Sequence, residues 1–145
     1  YAGIDEKANA FKSETGINVY KWDVSNYQSC VDGIAQVEAD LGPVEVLVNN
    51  AGITQDAMFH KMLPEQWNAV IQTNLASCFN LSRCVIEGMR ERGFGRIVNI
   101  TSSSVLAAIP GLDLSSGARA GLTSFLGGVA RPAAAKNVTI NQLRS

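Results

Sequence analysis

Apolar residues in the first third of the chain recur at spacings typical of helices and of strands. The pattern predicts a helix over 5–15, with Ala8 and Phe11 inward and Gly16 as its end. The run INVYKWDV then predicts a strand over 17–24. A second helix is predicted from a capping-box pattern at SNYQ (25–28) to Gly42-Pro43, and VEVLVNN predicts a strand buried on both faces. The apolar face expected for the second helix consists of Tyr27, Val31, Ile34 and Leu41.

The rest of the chain continues this alternation of helices and strands. A long helical pattern runs from Pro64 to about Arg92, Gly93 closes it, and RIVNI predicts a strand over 96–100. A helix through Arg119 to about Ala130 is expected to kink or end near Pro132, before a last strand in NVTINQL. Alternating strands and helices predict one α/β domain, a doubly wound parallel sheet of the Rossmann-like kind.

Composition narrows the classes of partner. The 145 residues carry a net charge of -1 and no cluster of lysines and arginines, so neither a nucleic-acid surface nor a membrane surface is indicated. Three cysteines without CxxC spacing and one histidine predict reduced thiols and no metal site. Cys78 and Cys84 are expected to be buried, and Met58, His60 and Trp67 to serve packing. With no apolar span and no signal-like N-terminus, a cytoplasmic protein is expected.

Polar or small residues follow three of the predicted strands. They are Asp23, the run from Asn49 to Gly52, and the run from Asn99 to Ser104. Ligands of doubly wound sheets bind beyond the carboxyl ends of the strands, so these are the predicted site positions.

Two motifs connect these positions to a known family. The stretches NNAGITQDAMFHKMLPEQWNAVIQTNL and MRERGFGRIVNI resemble the short-chain dehydrogenase/reductase family, most closely its acetoacetyl-CoA reductases, which are close kin of the 3-oxoacyl-ACP reductases. The resemblance covers residues 1–104 strongly. From about Ser104 the chain resembles a divergent branch of the same family.

The resemblance implies a cofactor-binding role for Asp23, Val24, Asn50, Ala51 and Gly52. Asp23 would accept a hydrogen bond from the adenine amine, although it also suits an ordinary residue before a helix. The NNAG run would line the adenosine side, where Gly52 allows close backbone approach, although it also suits a simple turn.

The resemblance implies catalytic roles for Asn74 and Ser102. Asn74 would interrupt its helix and hold a water in a proton relay; the alternative is an exposed or cap-like Asn. Ser102 would polarise the substrate carbonyl. Its alternative is one hydroxyl among several after a strand.

The family's catalytic Tyr and Lys are missing from the places where the resemblance puts them. Counting from Ser102, these places hold Ser115 and Arg119. A phenol beside an ammonium is a usable general acid, whereas an aliphatic hydroxyl is far weaker. Arg119 can supply positive charge and grip a ribose or phosphate, but it does not replace an ammonium directly. The favoured alternative is helix capping by Ser115 and Ser116, with Arg119 on a solvated helix face.

The Gly-rich phosphate loop of the family is also missing, since neither GxxxGxG nor GxGxxG occurs. Residues 1–145 are therefore expected to be one NAD(P)-binding reductase domain without its N-terminal Gly-rich βα unit and its C-terminal part, with Tyr1 at the end of the family's second strand. Residues 105–145 hold four basic residues and only Asp113 as an acid, against eight basic and twelve acidic residues before them. Natural divergence, or a join of two family sequences within NITSSSV, would each explain this shift.

The function implied by the resemblance is NADPH-dependent reduction of a 3-oxoacyl thioester, acetoacetyl-CoA to 3-hydroxybutyryl-CoA, as in polyhydroxybutyrate synthesis. NADH is not excluded. The expected partners are a small-molecule acyl thioester and, in the full-length protein, further copies in a homotetramer. The alternative is a catalytically impaired nucleotide-binding member that acts as a partner or regulatory subunit through the helix from Pro64 to Arg92.

Overall fold

A parallel sheet of three strands forms the centre of the computed structural model, which describes residues 3–107 and 109–145; Tyr1 lies outside them. The strands are β1 (Val46–Asn49), β2 (Gly95–Thr101) and β3 (Val138–Arg144), in the order β1-β2-β3. Val48 pairs with Val98, and Val98 in turn pairs with Asn141, so the carboxyl ends of all three strands lie at one edge.

Helices connect these strands. They are α1 (Asp5–Thr15), α2 (Tyr27–Leu41), α3 (Pro64–Ile71), α4 (Ser77–Arg92) and α5 (Asp113–Ala134). Short 3-10 turns cover Phe59–Lys61 and Ser103–Val105. The alternation of parallel strands and helices confirms the predicted Rossmann-like α/β class.

The long helical pattern from Pro64 to Arg92 is helical throughout but contains one interruption. Gln72–Ala76 is a π-helical turn between α3 and α4. The wider π turn places Asn74 in the interior, where it is 2% exposed. Gly93 ends α4 in the left-handed conformation, as a glycine after a helix commonly does.

The main core lies where α2 and α4 pack on the sheet. Met89, Ile97 and Val138 are fully buried there, one each from α4, β2 and β3. From α2 the buried residues are Cys30 and Ile34, one turn apart on the same face.

Several predicted packing positions are wrong. The residues concerned, all exposed, are Phe11, Tyr27, Leu41, Met58, His60 and Trp67, together with Val46 and Val48 of β1. In α2 the inward row is that of Cys30 and Ile34, which turns Tyr27 and Leu41 outward. One face of β1 has no covering element among the described residues, so this strand is not buried on both faces.

Two local predictions before α2 also need correction. No strand is assigned over 17–24, because a strand requires a paired neighbour and this segment is not part of the three-stranded ladder. The cap of α2 is Asn26, whose side chain accepts a 2.8 Å hydrogen bond from the Ser29 N–H. Ser25 is not this cap, because it precedes the N-cap position, and its hydroxyl donates to Asp23 at 2.7 Å.

The last helix begins at Asp113 and ends at Ala134, two residues beyond Pro132. A proline lacks the N–H of the helical ladder and so weakens the turn that contains it. The predicted end near Pro132 is confirmed. This helix brings residues 115–119 to the carboxyl edge of the sheet.

Candidate functional site

A cavity of about 400 Å³ opens at the carboxyl ends of β1 and β2. Its walls come from the loop after β1, the π turn, the end of β2 and the first turns of α5. The lining residues are Asn50, Gly52, Ile53, Thr54, Asn74, Ile100, Thr101, Ser102, Ser104, Leu112, Ser115, Arg119 and Ser145. All four residues predicted as catalytic are among them.

Asn74 ties the π turn to the loop after β1. Its side-chain Oδ1 accepts a 2.8 Å hydrogen bond from the N–H of Ile53, and its Nδ2 donates a 2.9 Å bond to the carbonyl of Ile53. Both polar groups of the amide are therefore satisfied by one backbone unit. The alternative of an exposed Asn is wrong.

Ser102 follows the last residue of β2 and faces the cavity half-buried. Its Oγ accepts hydrogen bonds from the N–H and the hydroxyl of Ser104, at 3.2 and 2.9 Å. The oxygen therefore receives two donors from the 3-10 turn that follows the strand.

Ser115 lies in the first turn of α5, but it does not cap that helix. The carboxylate of Asp56, in the loop after β1, accepts from the N–H groups of Leu114 and Ser115 at 3.0 and 3.1 Å. A carboxylate at this end is favoured by the helix dipole as well as by these bonds. The hydroxyl of Ser115 donates to the carbonyl of Leu112, so capping by Ser115 is a wrong prediction. Ser116 does not cap either, because it lies inside the helix, beyond the N-cap position of Leu112, and its hydroxyl donates to Ser104.

Arg119 points into the cavity and not into solvent. Its Nη1 donates a 2.7 Å hydrogen bond to the carbonyl of Ile100, near the end of β2. Its Nη2 contacts the backbone of Gly52, where an added Cβ would collide with it. The guanidinium thus bridges the ends of two strands, and the solvated helix face is a wrong prediction.

The predicted cofactor residues fall into two groups. Asn50 and Gly52 line the cavity beside Arg119, whereas Asp23, Val24 and Ala51 lie outside its lining. Hydrogen bonds from the hydroxyl and the N–H of Ser25 lower the pKa of Asp23, which is exposed.

Buried amides hold the strand ends in place. Asn49 Nδ2 donates to Asn99 Oδ1 at 2.8 Å, and Asn99 Nδ2 donates to the carbonyl of Asn141 at 3.3 Å. Asn80 of α4 fixes the end of the 17–24 segment, since its Nδ2 donates to the carbonyl of Val24 at 3.0 Å.

Sequence reasoning placed Ser104 in the strand-end run from Asn99 to Ser104 without giving it a role, and it missed Asp56 and Ser145. Ser104 was visible only as one more hydroxyl in a serine run. Asp56 acts on a helix that begins 57 residues later in the chain, and no local pattern reveals such a contact. Ser145 joins the cavity wall because its backbone pairs with Thr101 and Ser103.

Comparison with known proteins identifies the family. The sequence profile described as short chain dehydrogenase matches residues 2–144. The chain belongs to the short-chain dehydrogenase family. This confirms the family predicted from the NNAG and GRIVNI motifs.

The matches to three relatives cover between 81% and 99% of this chain. The acetoacetyl-CoA reductase of Shinella zoogloeoides is 59% identical over 143 residues, which are 99% of this chain and 59% of that protein. A 3-oxoacyl-[acyl-carrier-protein] reductase of Haemophilus influenzae is 36% identical over 118 residues, 81% of this chain and 49% of that protein. The crystal structure of a short-chain dehydrogenase from Streptomyces avermitilis has a TM-score of 0.90 at 26% identity, covering 96% of this chain and 52% of that one. The chain thus spans from about half to 59% of the length of these proteins.

None of the three cysteines lines the cavity. Burial raises the pKa of Cys30 to about 11 and also raises the pKa of Cys78 and Cys84. A thiol with a raised pKa is a poor nucleophile at neutral pH. Cys78 is buried as predicted, whereas Cys84 is only half-buried.

Neither a cluster of metal-ligating side chains nor a membrane-spanning helix is present in the part of the chain that the structure describes. Over 3–107 and 109–145, no three His, Cys, Asp or Glu side chains are placed together as metal ligands. None of the helices in these ranges is both long enough and apolar enough to cross a membrane.

Proposed function

We propose that the full-length protein containing this chain is an NADPH-dependent reductase of a 3-oxoacyl thioester, converting acetoacetyl-CoA to 3-hydroxybutyryl-CoA. The observation that carries the proposal is one cavity, lined by Asn74, Ser102 and Arg119, in a chain 59% identical to an acetoacetyl-CoA reductase. Oxidoreductase chemistry follows from the family, and the substrate from the names of the relatives.

Ser102 is the residue proposed to bind the substrate carbonyl. Since its oxygen already accepts two hydrogen bonds from Ser104, its own proton is free to be donated to a ligand in the cavity. A donor held in place before the reaction stabilises the negative charge that develops on the carbonyl oxygen. Asn74 keeps the wall opposite in place through Ile53.

The cavity residues suit a nicotinamide cofactor. Gly52 has no side chain, so Arg119 Nη2 lies against its backbone in the space that a Cβ would fill, and the guanidinium is held in the cavity wall where a ligand can meet it. Arg119 would bind a ribose or a phosphate of the cofactor, and Asp23, Val24, Asn50 and Ala51 would lie on its adenosine side. When bound, the cofactor supplies the hydride. NADPH is favoured over NADH only because the family of acyl thioester reductases uses it.

The proposal can be tested on the full-length protein by titrating NADPH and NADH and then following their oxidation with acetoacetyl-CoA. Saturable oxidation with formation of 3-hydroxybutyryl-CoA supports the function. An acyl-carrier-protein thioester in a parallel assay decides between the two carriers. Ser102→Ala is the matched variant, expected to lose turnover while cofactor binding remains.

We further propose that the full-length protein assembles as a homotetramer in the cytoplasm and supplies polyhydroxybutyrate synthesis. These proposals come from the family resemblance and the reductase names of the relatives. The molar mass in solution would test the tetramer.

A second function is a nucleotide-binding member without reductase activity, acting as a partner or regulatory subunit. The specific observation in its favour is Ser115 and Arg119 at the places of the family's Tyr and Lys. The same titration distinguishes the two, because such a subunit binds cofactor without oxidising it in the presence of any acyl thioester.

A further inference from the structure

Three serine hydroxyls form one continuous chain of hydrogen bonds at the cavity. The hydroxyl of Ser116 donates to Ser104 Oγ at 2.8 Å, and the hydroxyl of Ser104 donates to Ser102 Oγ at 2.9 Å. Both distances are ordinary for O–H···O bonds. The middle member, Ser104, is buried at 5% exposure, and its hydroxyl oxygen bonds to both of the other serines.

In this chain of hydrogen bonds each hydroxyl donates toward Ser102, the member that faces the larger cavity. Ser102 Oγ also accepts from the N–H of Ser104, a donor whose direction is fixed by the backbone. With two donors on its oxygen, Ser102 is left with a free proton of its own, and the cavity is the space in front of it.

The two ends of the chain open on different cavities. Ser102 lines the cavity of about 400 Å³, whereas Ser116 lines a second cavity of about 260 Å³, together with Asp113 and Gly117. Among the residues that the structure describes, Ser104 alone lines both cavities. The second cavity has room for several water molecules and exposed residues in its wall, so it connects the chain to solvent.

Ser115 makes no such connection. Although it occupies the place of the family's Tyr, its hydroxyl donates to the carbonyl of Leu112 at 3.3 Å. The proton of Ser115 is thus directed at the helix backbone.

We propose that Ser102, Ser104 and Ser116 form a proton relay that replaces the missing phenol, an inference that rests on the proposed reductase function. Hydride, with its electron pair, goes to the carbonyl carbon, and the resulting alkoxide takes the proton of Ser102. Ser102 is reprotonated by Ser104, Ser104 by Ser116, and Ser116 by water in the second cavity. The carbonyl is reduced and the nicotinamide oxidised, and the hydroxide left in the water is neutralised by buffer.

The test uses the full-length protein with Ser104→Ala and Ser116→Ala, each assayed for kcat and KM with acetoacetyl-CoA and NADPH. Since a general acid contributes about 10² to 10⁴ in rate, Ser104→Ala should lower kcat by about 10²-fold and Ser116→Ala by roughly tenfold, with KM unchanged. Ser103→Ala is the control, because Ser103 is exposed and is not one of the three hydrogen-bonded serines, although it lies between two of them. Ser104→Thr keeps the hydroxyl and should recover most of the rate.

The solvent isotope effect separates a relay from simple packing. Several protons moving together make the rate depend on the deuterium fraction along a curve, and Ser116→Ala should straighten that curve. Melting temperatures equal to that of Ser103→Ala would show that the fold is intact.

The possible outcomes distinguish failure of the relay from failure of the proposed reductase function. Turnover in the unmodified protein with Ser104→Ala and Ser116→Ala matching the control overturns the relay alone. Cofactor binding without turnover of any acyl thioester overturns the relay and the reductase together. Selective loss of kcat, rescue by Ser104→Thr and a straightened isotope curve support the relay.

Discussion

Arg119 and Ile100 join the start of α5 to the end of β2 through a single 2.7 Å hydrogen bond, from the guanidinium Nη1 to the backbone carbonyl. The other guanidinium nitrogen, Nη2, contacts Gly52 in the loop after β1. Holding a charged side chain in this position costs conformational entropy. Because the guanidinium is planar and rigid, an arginine loses less entropy for each hydrogen bond formed than a lysine would. The cavity therefore depends on this arginine for its shape and for its positive charge.

Gly52→Ala should disturb this arrangement without unfolding the chain. The new Cβ collides with the flexible end of Arg119, which must move away and lose its bond to Ile100. We expect the Kd for NADPH in the full-length protein to rise about tenfold, about 1.4 kcal/mol, as measured by fluorescence titration.

The matched control for Gly52→Ala is Gly127→Ala, in the exposed middle of α5. Apart from the neighbouring residues and the backbone of the helix itself, no heavy atom lies within 4 Å of a Cβ at that position. An alanine there should leave Kd unchanged and raise the free energy of unfolding by about 0.5–1 kcal/mol. Equal cofactor affinity in both variants would contradict the role given to Gly52.

Asp56→Ala should destabilise α5 from a distance. The carboxylate accepts from the N–H groups of Leu114 and Ser115, so its loss leaves two donors of the first turn without a partner. The cost of losing such a cap is typically about 1 kcal/mol in the free energy of unfolding, measured here by urea denaturation. Asp113→Ala is the control, because Asp113 is exposed in the same turn. A loss no larger than that of the control would show that Asp56 does not hold this helix.

The buried thiols should react in the order of their environments. Burial raises the pKa of Cys30 from 9.0 to about 11, so at pH 8 it stays protonated and should be alkylated more slowly than the half-buried Cys84. The unfolded thiol ionises near pH 9 and the folded one near 11, so the stability contributed by this group is full below pH 9 and is lost as pH rises toward 11.

Mass spectrometry of iodoacetamide-treated protein at pH 8 measures this order. The same protein in urea is the control, since all three cysteines should then react at similar rates. If Cys30 were labelled as fast as Cys84 in the folded protein, the predicted order of reactivity would be wrong.

The sequence predicted the features that depend on neighbours in the chain or on a family motif. The family motifs predicted the helix interruption at Asn74 and the serine that follows β2, Ser102, and both residues line the cavity as expected. What a pattern cannot contain is a contact between distant segments. Asp56 caps a helix in another part of the chain, and for that reason Ser115 and Ser116, good capping residues by type, were assigned a role that is already filled.

Strand pairing is the other part that the local pattern missed. The run INVYKWDV has the residues of a strand, but strand structure also requires a partner, and 17–24 is not in the ladder of β1, β2 and β3. Similarly, the inward face of α2 depends on which side the sheet lies. Tyr27 faces away from it and stacks on Phe79, with ring centroids 6.3 Å apart.

Restoring the family's acid should increase the reductase rate only when both residues are changed. Ser115→Tyr places a phenol in the cavity wall, and Arg119→Lys supplies the ammonium that lowers the pKa of that phenol. We expect the double variant to gain about 10² in kcat with acetoacetyl-CoA, the low end of what a positioned general acid contributes, and neither single variant to match it. Steady-state kinetics of the four proteins measures this coupling.

The same double variant also tests the three-serine relay, because its phenol would supply the proton and bypass the serines. If a phenol now donates the proton, Ser116→Ala should cost nothing in the double variant, although it costs roughly tenfold in the unmodified protein. A double variant that binds NADPH but gains no rate would mean that Ser115 and Arg119 do not occupy the places of the Tyr and Lys. A gain in rate with the cost of Ser116→Ala unchanged would mean that Ser116 acts on the structure of the site and not on the proton, because a relay that has been bypassed cannot limit the rate.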